Sequence, residues 1–344
     1  MRWKVGLAGT VALVASTVLV GPAHAASPPP AQACTGQWRR VRSISPNHDN
    51  GDYNSLVSVS SVSSTDAWAV GITDDFDQPP SGFQTLAEHW DGSRWTPVPI
   101  PDSPLYSWNQ LQGVSARASD DVWAAGSTAY VGNGLLVHWN GATWERTVLP
   151  QAIVFRAIAA VSPTDIWAVG QESTAQFLDL TVAMHWDGTS WTQVPTPSPL
   201  KLHSDDENWL TSLAAVSSND VWAMGVARDP DFGIRDRPFS LHWDGARWTL
   251  FRTPDPGGAT EDTDLEGAVA FASDDVWAVG SVGNDPDWST FTAHWDGLAW
   301  TQVASSSPGR FLAVASDTTG GIWGVGDRSV STPGFTATMV QHLC

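Results

Sequence analysis

Apolar and polar positions alternate along this chain in short runs, and the runs recur in a fixed order. LAAVS (213–217) leads through a Ser-Asn-Asp turn into VWAMG, and IAAVS (158–162) leads through Pro-Thr-Asp into IWAVG. Runs this short, rich in Val, Ile, Trp and Thr and bounded by turn residues, read as β-strands. The second run returns as TDAWAVG (65–71), DDVWAAG (120–126), TDIWAVG (164–170), NDVWAMG (219–225), DDVWAVG (274–280) and GGIWGVG (320–326). After each of the first five comes a third run closing on HWDGSRW (89–95), HWNGATW (138–144), HWDGTSW (185–191), HWDGARW (242–248) or HWDGLAW (294–300). Asp-Gly between two β-prone runs signals a hairpin. A fourth run of the type WTQVPTP (191–197) follows it.

Four strands repeating every 44 to 55 residues, measured between the tryptophans of the second run, predict an all-β fold. Its architecture is a six-bladed β-propeller of four-stranded antiparallel blades. The sixth unit ends at Gln341-His342-Leu343-Cys344 and lacks a fourth run. CTGQWRRVRSISP (34–46) matches the missing piece, so 34–46 is expected to supply the outer strand of blade six. Cys34 and Cys344 are the two cysteines and are expected to form a disulfide across that seam.

The chain opens with Arg2 and Lys4, an apolar run to Val20 and Ala23-His24-Ala25, the pattern of a secretory signal peptide cleaved after about residue 25. The expected organisation is a signal peptide at 1–25, a Pro-rich linker at 26–33 and a propeller at 34–344 in a secreted, extracellular protein. The leader holds two of the 17 basic residues and none of the 36 acidic ones, so the exported chain carries −21. That charge argues against nucleic acid and anionic membranes as partners.

Seventeen of the 20 exported tryptophans occupy repeat positions and are read as packing between blades. His89, His138, His185, His242 and His294 recur beside turns carrying Asp66, Asp121, Asp165, Asp220 and Asp275. A His-to-Asp hydrogen bond within each blade is expected, because copies spaced around a ring cannot converge on one metal.

The order of motifs resembles the tectonin-type propeller repeat, with GGIWGVG (320–326) and the Cys34-to-Trp38 strand as its nearest local match. The resemblance spans nearly all of 34–344. It implies a lectin-like protein that binds surface glycans, similar to secreted bacterial lectin propellers, including those on umbrella-shaped toxin particles. It supplies no site residue.

With alternating strand direction, the short uniform connections fall on one face and the long varied ones on the other, where function is expected. Trp108, Trp209 and Trp288 are the tryptophans outside the repeat, and all lie in long connections. With Tyr106, Asp206 and Asp287 they form the candidate ligand-binding set, aromatic rings stacking on sugars and carboxylates accepting from hydroxyls. The same rings could instead pin the loops to the blades. Asp74-Asp75-Phe76-Asp77, Asp205-Asp206-Glu207 and, more weakly, NHDNGD (47–52) are oxygen-rich enough for calcium, but a solvated acidic surface is the preferred reading of them, and no cofactor is otherwise expected. No sequence signature of a nucleophile, zinc or phosphate site occurs. Three functions follow: a non-catalytic glycan binder, a scaffold docking another secreted protein, as in a toxin-like complex, and a carboxylate-based glycan hydrolase or lyase.

Overall fold

The structure, a computed structural model, describes residues 42–43, 54–74, 82–101, 108–128, 132–174, 179–200, 206–228, 235–284, 286–305, 307–316, 321–329 and 336–343. The leader, the linker, both cysteines and Tyr106 lie outside them. The described residues are all-β and contain no helix.

The first sheet runs in order through β1 (Asn54–Ser63), β2 (Asp66–Asp74), β3 (Phe83–Trp90) and β4 (Trp95–Pro97). Next come β5 (Asn109–Ala118), β6 (Asp121–Thr128), β7 (Asn133–Trp139), β8 (Trp144–Ser162), β9 (Asp165–Ser173), β10 (Asp179–Trp186) and β11 (Trp191–Val194). These seven form one sheet, because β8 pairs with β7 through its first half and with β9 through its second. Four-stranded sheets follow from β12 (Glu207–Ser217), β13 (Asp220–Arg228), β14 (Asp236–Trp243) and β15 (Trp248–Arg252), and from β16 (Asp262–Ala272), β17 (Asp275–Asn284), β18 (Asp287–Trp295) and β19 (Trp300–Val303). The last sheet has three strands: β20 (Arg310–Ser316), β21 (Ile322–Ser329) and β22 (Thr336–Leu343). All pairings between these strands are antiparallel, and the first strands β1, β5, β8, β12, β16 and β20 neighbour one another in succession. Antiparallel sheets stacked by their inner strands are the blades of a β-propeller.

Three repeated devices hold the blades. The glycine ending each WAVG run faces the inner strand at very short range. A methyl group on Gly170 would lie 1.9 Å from the Val154 carbonyl oxygen, and one on Gly280 equally close to that of Asp264. Only glycine permits that approach. Opposite each of these glycines the inner strand carries a bulge, after Leu56, Leu111, Phe155, Leu210, Leu265 and Phe311. The extra residues are Val57, Gln112, Arg156, Thr211, Glu266 and Leu312.

The second device is the Asp-Gly turn. Asp187 Oδ1 accepts the Thr189 and Ser190 N–H groups at 2.8 and 2.9 Å, and Gly188 sits at φ 95°. These bonds hold the exposed Asp187 carboxyl down at about 2, with the Thr189 hydroxyl as the largest cause. Asn140 makes the same turn with an uncharged amide oxygen.

The third is aromatic. Trp68, Trp123, Trp167 and Trp222 are each met by two tryptophans of the next blade, at ring centroid distances of 4.9 to 5.6 Å. In three of these interfaces one ring meets the other edge-on, at 88–90°. Edge-to-face pairs contribute about 0.5–1.5 kcal/mol each beyond the area they bury. The repeat histidine covers the tryptophan from within its own blade, as His185 does on Trp167 at 4.4 Å. His89, His138, His185, His242 and His294 place Nε2 2.8–2.9 Å from Oδ1 of Asp66, Asp121, Asp165, Asp220 and Asp275.

Candidate functional site

The charged groups that the repeat does not explain gather at the starts of the inner strands, on the side of the long connections. Arg156 occupies the bulge of β8 and Glu266 that of β16. A bulge re-aims a side chain that regular pairing would lay along the sheet. Both residues are half-buried. They make no ion pair with each other, yet each feels the other's charge more than that of any other ionised group. Burial pushes the Glu266 carboxyl up, and Arg156 and Arg310 only partly offset this.

Arg156 is held by a relay. Its Nε donates to Gln171 Oε1 at 3.0 Å, and Gln171 Nε2 donates to Asp179 Oδ2 at 3.0 Å. Its guanidinium carbon lies 5.5 Å from the Trp209 ring centroid, and that of Arg228 lies 5.2 Å from it. A guanidinium at that distance from an indole is stabilised by about 0.5–2 kcal/mol, depending on solvent access. Arg228 is committed elsewhere as well: its Nε and Nη2 bind both oxygens of Asp236 at 2.6 and 2.8 Å, and its Nη1 binds Glu207 at 3.1 Å. Arg310 likewise grips both oxygens of Asp327, at 3.0 and 2.8 Å, and its guanidinium carbon lies 5.8 Å from Trp288.

Asp264 completes the group. Burial raises its carboxyl to about 8, with further upward contributions from the charges of Asp236 and Glu266 and a hydrogen bond to Asp236. Arg228 binds both oxygens of Asp236, while Asp264 has no such partner among the described residues and is the one whose carboxyl burial raises. At neutral pH Asp264 is therefore a hydrogen-bond donor. The site as a whole offers a positioned guanidinium, a raised Asp264 carboxyl and a half-buried Glu266 carboxyl, with the Trp209 and Trp288 rings against its arginines.

The residues singled out from sequence divide as follows. Trp209 and Trp288 lie on strands β12 and β18 rather than in loops, because those strands extend further than the run pattern indicated. Both rings meet arginines at this site. Asp206 is buried beside it, its carbonyl accepting the Asp179 N–H at 3.1 Å. Asp287 is exposed at the start of β18. Trp108 belongs to another part of the fold, its ring tilted at 54° against Phe83 with centroids 4.0 Å apart. Among the described residues no group of three or more His, Cys, Asp or Glu is placed to hold a metal ion. Sequence reading missed Arg156, Arg228, Asp236, Asp264, Glu266 and Arg310. The signal was a charge inside an otherwise apolar inner run, as in FRAIAAV (155–161) and LEGAVAF (265–271).

The fold and this site define a β-propeller with a mixed-charge cluster at the head of its inner strands. No family model matches the chain, and no curated protein does. Solved structures do. It is similar to a protein of unknown function from Dyadobacter fermentans, with 12% identity, TM-score 0.53, and 83% of this chain and 94% of that one covered. The α-L-arabinofuranosidase of Fusarium graminearum with an iminosugar inhibitor matches at 11% identity and TM-score 0.52 over 84% and 92%. The sialidase of Trypanosoma rangeli matches at 11% and 0.52 over 83% of this chain and 54% of that one. At these identities the likeness is one of fold, and the fold is a β-propeller.

Proposed function

We propose that this is a secreted, non-catalytic propeller that binds glycans at the cluster around Arg156, Trp209, Asp264 and Glu266. The observation that carries the reading is the Arg156–Glu266 pair. Two groups that sense each other without forming an ion pair can each bond to a ligand group that accepts from Arg156 and donates to Glu266. A sugar hydroxyl does both at once. Trp209 and Trp288 add apolar wall, and the tectonin-like order of the repeats points the same way. The test is glycan-array binding by the exported chain, repeated with a chelator. A defined set of hits that weakens in Trp209→Ala supports the reading, and a blank array refutes it. Release of reducing ends would convert the binder into a hydrolase.

The blade count belongs to the same reading. Six blades follow if β8 serves two of them and residues 34–46 add a fourth strand beside β22. Two observations support that closure. A cavity of about 620 Å³ opens between the last two sheets, lined by Trp277, His294, Ile322 and Leu343 among others. Ser43 donates to Glu88 of the first sheet at 3.3 Å, so the chain enters the fold beside β3. Peptide mapping without reductant tests the expected Cys34–Cys344 bond, and two free thiols in the exported protein would refute it.

A further inference from the structure

We infer that Arg156 receives a carboxylate carried by the sugar, so that the ligand class is an acidic glycan. The inference rests on the glycan reading above and narrows it. Three features of the guanidinium carry it.

The first is its commitment. Arg228 and Arg310 spend their donors on both oxygens of a carboxylate, and Arg235 spends its own on Asp255 and the Glu261 carbonyl. Arg156 is bonded only through Nε. Its two terminal nitrogens have no hydrogen-bond partner among the described residues. A guanidinium edge of that kind presents two parallel N–H groups, the spacing a carboxylate accepts.

The second is its fixed direction. The relay from Asp179 through Gln171 orients the guanidinium, and Trp209 flanks it. Little conformational freedom remains to be lost on binding, which favours affinity.

The third is how the surrounding acids respond. Glu266, Asp179 and Glu207 are the ionised groups that Arg156 senses, from β16, β10 and β12, and Asp236 and Arg310 act on Glu266 from β14 and β20. Carboxyl groups on three strands would repel an incoming carboxylate unless one of them takes up a proton. Burial pushes the Glu266 carboxyl up, so it takes up a proton more readily than an exposed glutamate does. Taking up a proton turns it from a repelling charge into a donor, and Asp264 is a donor already. Acid binding is thus coupled to proton uptake.

The experiment is calorimetric titration of the exported chain with two matched pairs, trigalacturonate against its methyl ester and sialyllactose against lactose, at pH 5.5 and pH 8. In at least one pair the acidic member is expected to bind about tenfold more tightly, the loss typical of one charge-assisted hydrogen-bond pair. The preference should be larger at pH 5.5 and should disappear in Arg156→Gln, where the acidic and neutral members of each pair should bind alike. Two buffers of different ionisation enthalpy should reveal proton uptake, a readout that serves even if the variant does not fold. Equal binding of acid and neutral members, an unchanged preference in Arg156→Gln, proton release, or equally tight binding of triglutamate each overturns the inference. If the array shows neutral glycans bound and both acid sugars ignored, the inference falls and the site reading stands. A blank array removes both.

Discussion

At the scale of single residues, the glycines of WAVG and the carboxyl of Asp264 make the sharpest demands. Gly170→Ala drives a methyl group against the Val154 carbonyl at 1.9 Å, and backbone rather than a flexible side chain must give way. The expected loss is about 1–3 kcal/mol, measured by chemical denaturation. Asp264 behaves in the opposite way. Its folded carboxyl titrates near 8 while an unfolded one ionises at its ordinary value of 3.8. Below both values the two states carry the same proton and nothing is gained or lost. As pH rises from about 4 to 8 the unfolded state alone ionises, so this residue erodes stability through that window. Asp264→Asn should raise the melting temperature at pH 8, by roughly 2 °C or more, and leave it unchanged at pH 4. Asp91 and Asp187 run the other way. Their folded carboxyls lie at about 2, so the stability they confer is present above pH 4 and fades as pH falls toward 2. Asp187→Asn should abolish that acid sensitivity while keeping the turn, because Asn140 already builds the same turn with an amide.

At the scale of elements, the strand order and the hairpins were legible in the sequence because they rest on local chemistry. Alternation marks a strand, Asp-Gly marks a turn, and both recur often enough to correct one another. The bulges were not legible. Whether Phe155 or Arg156 faces Gly170 depends on a two-against-one pairing that no run of five residues encodes. The site was hidden for the same reason, since its members come from β8, β9, β10, β12, β13, β14, β16, β18 and β20 and meet only after the sheets stack. The repeat histidines illustrate the converse. His185 has both its partners, Asp165 and Trp167, within one hairpin-connected unit, and such contacts can be anticipated from spacing. Trp167 lies 1% exposed between two blades, so Trp167→Ala should cost about 3–5 kcal/mol, read from the denaturation midpoint. His185→Ala removes a half-buried ring and should cost less than Trp167→Ala in the same assay.

At the scale of the whole molecule, four of the blade-to-blade seams use one recipe, a tryptophan covered by two from its neighbour. Stability is therefore spread along the series of sheets, with neighbour contacts as its currency, as in repeat proteins. The mixed-charge cluster stands outside this recipe. It concentrates half-buried ionisable groups where the scaffold has room for them, and it is tolerated because Arg228 and Arg310 are locked to carboxylates while Asp264 stays protonated. Strand β8 departs from the recipe in another way. Every other pair of adjacent blades is joined by a connection that can lengthen or fray, but these two share a single uninterrupted strand. During refolding, order in one half of β8 is handed to the other without closing a loop, so the seven-stranded sheet is the natural nucleus. Its amide protons should be the first to become protected from exchange with solvent and the last to be released.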